Sequence, residues 1–270
     1  AGRGSAELLK EKYDRDKKIL ILAGPGNNGG DGLVMARLLD IWNYNVKIII
    51  VGNEEKLNND PLTNYKICKL RNIDIEFFNN QSDFALIKNA LNETDVIVDS
   101  LLGTGLSGNL REPYLKIVKL INTSNKDVLA VDMPTGIDGR NGKIMGEAVQ
   151  ADITATMAFS KIGHYLYPGR TYTGQLKIID LGFPEELIKT EHYKHHTLTL
   201  KEASELLPLR SEVGHKGTFG KILVVGGSTG MEGAPAISGK GALRTGSGLV
   251  KVMVPAEINK TVSKFCQEII

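Results

Sequence analysis

No apolar run in this chain approaches the roughly 18 residues that a membrane-spanning helix requires. The first residues, Ala1-Gly2-Arg3-Gly4-Ser5, hold no apolar signal region and no starting Met. Cysteine is scarce: Cys68 and Cys266 are the only two, far apart and outside any metal-ligand spacing. That excludes a disulfide framework and a thiolate zinc site, and a reducing cytoplasmic setting is the expectation. An excess of charge of one sign is also missing. The 33 basic and 31 acidic side chains leave a formal net charge of +2 and are mixed along the chain. Neither nucleic acid nor an anionic membrane is implied as a partner. What remains is an ordinary globular composition over 270 residues, 41% hydrophobic and 24% charged, enough for one large domain or two small ones.

Short apolar runs alternate with helical patterns. Strands are predicted at Ile19–Ala23, Val46–Val51, Ile73–Phe78, Asp95–Asp99, Asp127–Asp132, Ile153–Ala158 and Gln175–Asp180. Helices are predicted at residues 6–14, Leu33–Trp42, Pro61–Leu70, Asp83–Leu91 and Pro113–Ile121. This alternation predicts an α/β fold, a parallel sheet with helices on both faces. Such sheets bind ligands beyond the carboxyl ends of their strands, where the strand order switches. Three strands run into polar, glycine-rich turns, after Ala23, Asp99 and Asp132, and these turns are expected to share one crevice.

The segment Phe183–Leu200 reads as a polar connector. Its His192, His195 and His196 are either solvated or a metal site, and solvated is the reading adopted. A second strand–turn–helix–strand pattern follows: Gly220–Val225, the turn Gly226–Ala234, Ala236–Arg244 and Leu249–Val254. About seventy residues follow the connector, fewer than the ~100 of a usual α/β nucleotide domain, so this unit is expected to be incomplete.

The first turn carries the most information. Gly24, Gly26 and Gly29 satisfy G-x-G-x-x-G, which in a dinucleotide site puts pyrophosphate on a helix N-terminus. That fingerprint expects an acid at the end of the second strand for the ribose. Here the second strand ends at Val51, and the nearest acids are Glu54 and Glu55. Asp31, at the helix start, would oppose a phosphate. A hydride-transferring dehydrogenase is therefore disfavoured, and a turn made only for tightness does not call for Asn27, Asn28 and Asp31 together. Asn28, Asp99 and Thr135 offer hard oxygens suited to an alkali or alkaline-earth cation. Asp132, at a strand mouth, is the candidate for general acid–base work. Lys161 either adds a positive charge to the crevice or is a solvated lysine. The turn Gly103–Asn109 has the backbone N–H groups to close on phosphate oxygens. Tyr114 either stacks on a ring or bonds a phosphate, or belongs to the core.

Gly26–Gly32, Val98–Gly108 and Val131–Ile137, in that order, resemble the three signatures of the NAD(P)H-hydrate epimerase family. The resemblance covers about residues 1–185 and implies a Rossmann-like domain, with a first helix of the family expected to precede Ala1. His215–Ser228, Gly233–Pro235 and Ala242–Val250 resemble the start of the ADP-dependent (S)-NAD(P)H-hydrate dehydratase, a ribokinase-like domain. The expected organisation is thus an epimerase domain at 1–185, a connector at 186–212 and a dehydratase fragment at 213–270. The dehydratase's ADP-binding loops and catalytic aspartate have no counterpart here, so no dehydration is expected of this chain by itself.

The resemblance implies as substrate NADH or NADPH hydrated at C6 of the nicotinamide ring. The epimerase interconverts the R and S hydrates, and the dehydratase restores the S form with ADP or ATP and magnesium. Substrate contacts would come from Asn27, Asn28, Gly29, Gly30 and Asp31. Gly103, Thr104, Gly105, Leu106, Ser107, Gly108 and Asn109 would add a second set, joined by Tyr114 and Asp132. Asn28, Asp99 and Thr135 would hold a potassium ion. In the dehydratase part, Ala234 would line the hydrate site. A non-catalytic nucleotide-binding protein using the same crevice stays open at this point, as does the oligomeric state, homo-oligomer included.

Overall fold

The computed structural model describes residues 1–80, 83–184, 186 and 194–265. The described chain divides into two compact units, Ala1–His195 and His196–Ile270.

The first unit is built on seven parallel strands. These are β1 (Lys18–Ala23), β2 (Asn45–Val51), β3 (Asp74–Phe78), β4 (Val96–Ser100), β5 (Asp127–Val131), β6 (Ile153–Met157) and β7 (Gln175–Ile179). Their order across the sheet is β3-β2-β1-β4-β5-β6-β7. β1 is apolar almost throughout because both of its faces are covered. Ile19, Ile21 and Ala23 enter one core, and Leu20 and Leu22 enter the other. Each fully buried aliphatic side chain contributes about 1.5–3 kcal/mol.

On the first face lie α1 (Gly2–Lys12), α2 (Asn27–Ile41) and α3 (Asn59–Leu70). α1 buries Gly2, Ser5, Ala6 and Leu9, the i, i+3, i+4, i+7 stripe of an amphipathic helix. On the second face lie α4 (Phe84–Glu93) and α5 (Tyr114–Thr123), which buries Ile117, Val118 and Ile121. Between β6 and β7, where a plain glycine-containing loop was expected, the chain makes a 3-10 turn at Ile162–His164 and a short helix, α6 (Gly169–Thr173).

The second unit holds α7 (Leu200–Leu206), β8 (Lys221–Val225), α8 (Gly233–Arg244), β9 (Leu249–Met253) and α9 (Ala256–Phe265), with β8 and β9 parallel. Its buried core is small: Ala236, Ile258 and Val262 cluster together, and Val250 of β9 is buried as well. α7 falls where only connector was expected. A capping box starts it, with the Thr199 hydroxyl accepting from the Glu202 N–H and the Glu202 carboxylate accepting from the Thr199 N–H. His192 and Cys266 lie outside the described residues.

Candidate functional site

β1 pairs with β2 on one side and β4 on the other, so the strand order switches at β1 and β4. A crevice of about 850 Å³ opens at their carboxyl ends. Pro25, Gly26, Asn27, Asn28 and Asp31 line it from the end of β1. The turn Leu101–Ser107 lines it from β4, Asp132 from β5, and Met157 and Lys161 from β6. The strand ends thus bring together most of the residues singled out from sequence. Gly29, Gly30, Asp99 and Thr135 stand behind the surface as buried groups. Gly108, Asn109 and Tyr114 are not part of the lining, and Tyr114 packs against the second core.

The first turn differs from its predicted form. The helix does not begin at Leu33; α2 starts at Asn27, with Gly26 as N-cap. Asn27 to Asp31 are therefore helical, and the N–H groups of the first turn face the crevice end of the sheet. Gly29 permits this, because a Cβ there would lie 1.8 Å from the Gly24 carbonyl oxygen. Asp31 sits in the second turn rather than at the start. Its Oδ1 accepts the Gly2 backbone N–H at 2.9 Å, which ties α1 to α2. Burial pushes its carboxyl above the ordinary range.

Asp99 is wholly buried at the end of β4. Its Oδ1 accepts the Thr135 hydroxyl at 2.7 Å, and its Oδ2 accepts the Thr135 N–H at 2.8 Å. Thr135 Oγ1 in turn accepts the Leu102 N–H at 3.0 Å. The Asn28 carboxamide lies against Gly103, and its buried amide nitrogen has no hydrogen-bond partner among the described residues. All three side chains therefore meet the Leu101–Gly103 turn. Desolvation raises the Asp99 carboxyl to about 6, and no cationic side chain pairs with it among the described residues. The Asp99 carboxylate, the Thr135 hydroxyl and the Asn28 carboxamide oxygen are the hard oxygens here that could hold an alkali or alkaline-earth cation. No group of three or more His, Cys, Asp or Glu with metal-holding geometry occurs among the described residues.

Asp132 follows β5 in a left-handed conformation, with φ of +67°. Its Oδ1 accepts from the Lys161 ammonium at 2.5 Å. Lys161 Nζ also donates to Thr156 Oγ1 at 2.7 Å and to the Met157 carbonyl at 3.3 Å. Lys161 is thus a crevice residue and not a solvated surface lysine. Thr156 and His164 complete the arrangement. The sequence reading missed both, because a Thr inside a strand and a His in an irregular loop carry no spacing signal. The His164 ring, 1% exposed, contacts the Asp132 carbonyl and the Lys161 N–H.

The fold and crevice define a class: a doubly wound α/β protein with an open crevice at its switch point. Residues 1–163 match the family described as YjeF-related protein N-terminus, and the chain belongs to that family. Residues 222–270 match the family model of NAD(P)H-hydrate dehydratase. Relatives named bifunctional NAD(P)H-hydrate repair enzyme Nnr occur in Moorella thermoacetica, Coxiella burnetii and Archaeoglobus fulgidus. The Moorella protein is 35% identical over 94% of this chain and 48% of its own length. The Coxiella protein is 35% identical over 95% of this chain and 51% of its own, and the Archaeoglobus protein 36% identical over 100% and 53%. The chain thus spans about half the length of these relatives. The crystal structure of the yeast protein YNL200c shares the fold, with a TM-score of 0.59 and 22% identity, covering 74% of this chain and 85% of that one. No helix among the described residues is long and apolar enough to cross a membrane.

Proposed function

We propose that the first unit epimerises NADH or NADPH hydrate at C6 of the nicotinamide ring. The observation that carries this reading is the Asp132–Lys161 pair at the mouth of the crevice, in a chain of this family. The hydrated carbon bears a hydroxyl beside ring N1, so it is a hemiaminal. Two routes erase its configuration. In one, the hydroxyl takes a proton and leaves as water, and water returns to the other face of the iminium. In the other, O6 loses its proton as the C6–N1 bond breaks and N1 takes a proton, giving an aldehyde and an N1–H; N1 then re-adds to the opposite face, losing that proton as O6 regains one. Both need a proton acceptor and a proton donor close to C6, and neither changes oxidation state. The Asp132 carboxylate serves as acceptor. The Lys161 ammonium bonded to it serves as donor.

Asn27, Asn28, Asp31 and the turn from Gly103 to Ser107 bind the nucleotide, with Gly29, Gly30, Gly108, Asn109 and Tyr114 supporting them. Asn28, Asp99 and Thr135 hold a potassium ion, which when bound supplies positive charge that balances Asp99 and joins the loops after β1, β4 and β5. The second unit is the start of a dehydratase domain that, when whole as in the relatives, acts on the S hydrate with ADP or ATP and magnesium, with Ala234 at its hydrate site. The setting proposed is cytoplasmic, with neither nucleic acid nor membrane as partner. The dehydrogenase reading lacks support, because Glu54 and Glu55, the first acids after β2, do not line the crevice where a ribose would need one; Glu54 accepts from the Tyr65 hydroxyl.

Chiral chromatography of purified R hydrate, followed as S hydrate forms, tests the proposal. Turnover by the wild-type chain, lost in Asp132→Asn, is expected. Wild-type turnover by Asp132→Asn would remove the acid–base assignment. A wild-type chain that bound hydrate without turning it over would favour a binding protein. Replacing potassium by a bulky organic cation is expected to lower the rate, and no change would remove the cation from the site.

A further inference from the structure

We propose that His164 is a positioning residue that sets the Asp132–Lys161 pair by clamping the backbone of both members with one imidazole. The inference rests on the epimerase reading for its consequence, and on the following geometry for its content. The Lys161 backbone N–H donates to His164 Nδ1 at 3.0 Å. Nδ1 is therefore the acceptor, so the ring proton sits on Nε2. That proton points at the Asp132 carbonyl oxygen, 3.0 Å away. The two ring nitrogens thus meet the main chain of the two residues whose side chains pair with each other.

The clamp explains how Asp132 keeps its backbone. A non-glycine residue at positive φ is strained and persists where its surroundings over-determine it. The Asp132 N–H is held by the Ala155 carbonyl of β6 at 2.8 Å, and its carbonyl by His164. With both backbone groups engaged, the carboxylate is directed into the crevice, where Lys161 meets it. His164 itself is buried and does not line the crevice, so it acts through the pair and not on the substrate.

Two variants separate the two bonds. In His164→Gln the carboxamide nitrogen reaches the place of Nε2 and can still donate to the Asp132 carbonyl. In His164→Asn the carboxamide oxygen reaches the place of Nδ1, and the bond to Asp132 is lost. With the full chain, His164→Asn is expected to lower kcat about ten- to a hundredfold with KM little changed, because one buried hydrogen bond next to the reacting group is removed. His164→Gln is expected to restore most of kcat. Thermal denaturation of both variants is the control. Equal loss of Tm in the two with kcat unaffected would make His164 structural only and overturn the proposal. Nitrogen-15 NMR of the imidazoles, with His164 assigned by its absence in His164→Gln, needs no turnover. It is expected to show Nε2–H at neutral pH, and Nδ1–H would overturn the clamp. If the tautomer held while the wild-type chain turned over nothing, the epimerase reading would fail and the clamp geometry would stand.

Discussion

Burial decides the charge of His164. Desolvation, the largest cause, lowers its pKa from 6.5 to about 4, with the nearby Lys161 ammonium adding to the effect. In the unfolded chain the ring takes up a proton near pH 6.5, but in the folded chain it resists until about pH 4. Between these values the unfolded state binds more protons, so stability falls as pH is lowered from 6.5 to 4. The full effect is about 3 kcal/mol, and Tm measured against pH is expected to show a step that His164→Gln flattens. Lys161 supports a second prediction. Its ammonium places three donors on Asp132, Thr156 and Met157, which a planar guanidinium does not reproduce. Lys161→Arg is expected to lose turnover nearly as fully as Lys161→Ala, about 10²- to 10⁴-fold in kcat. A rate close to wild type for the Arg variant would mean that charge alone suffices. Of these side chains, Asp132 was legible as an acid at a strand mouth and Asp99 as a hard-oxygen donor. Lys161 was ambiguous until its partners were seen.

At the scale of elements, α2 diverges most from its expected form. Asn-Asn-Gly-Gly is a poor helix start by propensity, since each glycine costs about 1 kcal/mol against alanine. The chain nevertheless winds from Asn27, because Gly29, Gly30 and Gly32 are buried against the Gly24 carbonyl, Pro61 and Ser100. Close packing outweighs propensity here. Gly29→Ala is therefore expected to destabilise the chain by about 2–3 kcal/mol, since the Cβ meets backbone that has no room to yield. The midpoint of urea unfolding reads this directly, and an unchanged midpoint would mean that α2 starts elsewhere. The 3-10 turn Ile162–His164 and α6 escaped the sequence reading for another reason. They are too short for a period to show, and the Asp138–Gly142 loop holds them: Gly163 N–H donates to the Gly139 carbonyl and Gly169 N–H to the Gly142 carbonyl, both at 2.8 Å.

For the whole molecule, every residue that lines the crevice lies within Ala1–His195. A chain of residues 1–195 is expected to fold and to turn over hydrate at the rate of the 270-residue chain. Loss of turnover in a folded 1–195 chain would show that the second unit supports the site. Alternation of strands and helices, the apolar β1, and the polar turns after β1, β4 and β5 were all readable in the sequence. They report local period and turn chemistry, and parallel strands must send such turns to one end of the sheet. The sequence by itself thus determined an α/β sheet, the three turns that meet, and Asp132 at the mouth of one of them. Tertiary structure alone decided that α2 begins at Asn27, that Asp31 ties down α1, and that Lys161 and His164 converge on Asp132. The last two depend on contacts between residues about 30 apart, Gly2 with Asp31 and Asp132 with Lys161 and His164, which no local pattern sets.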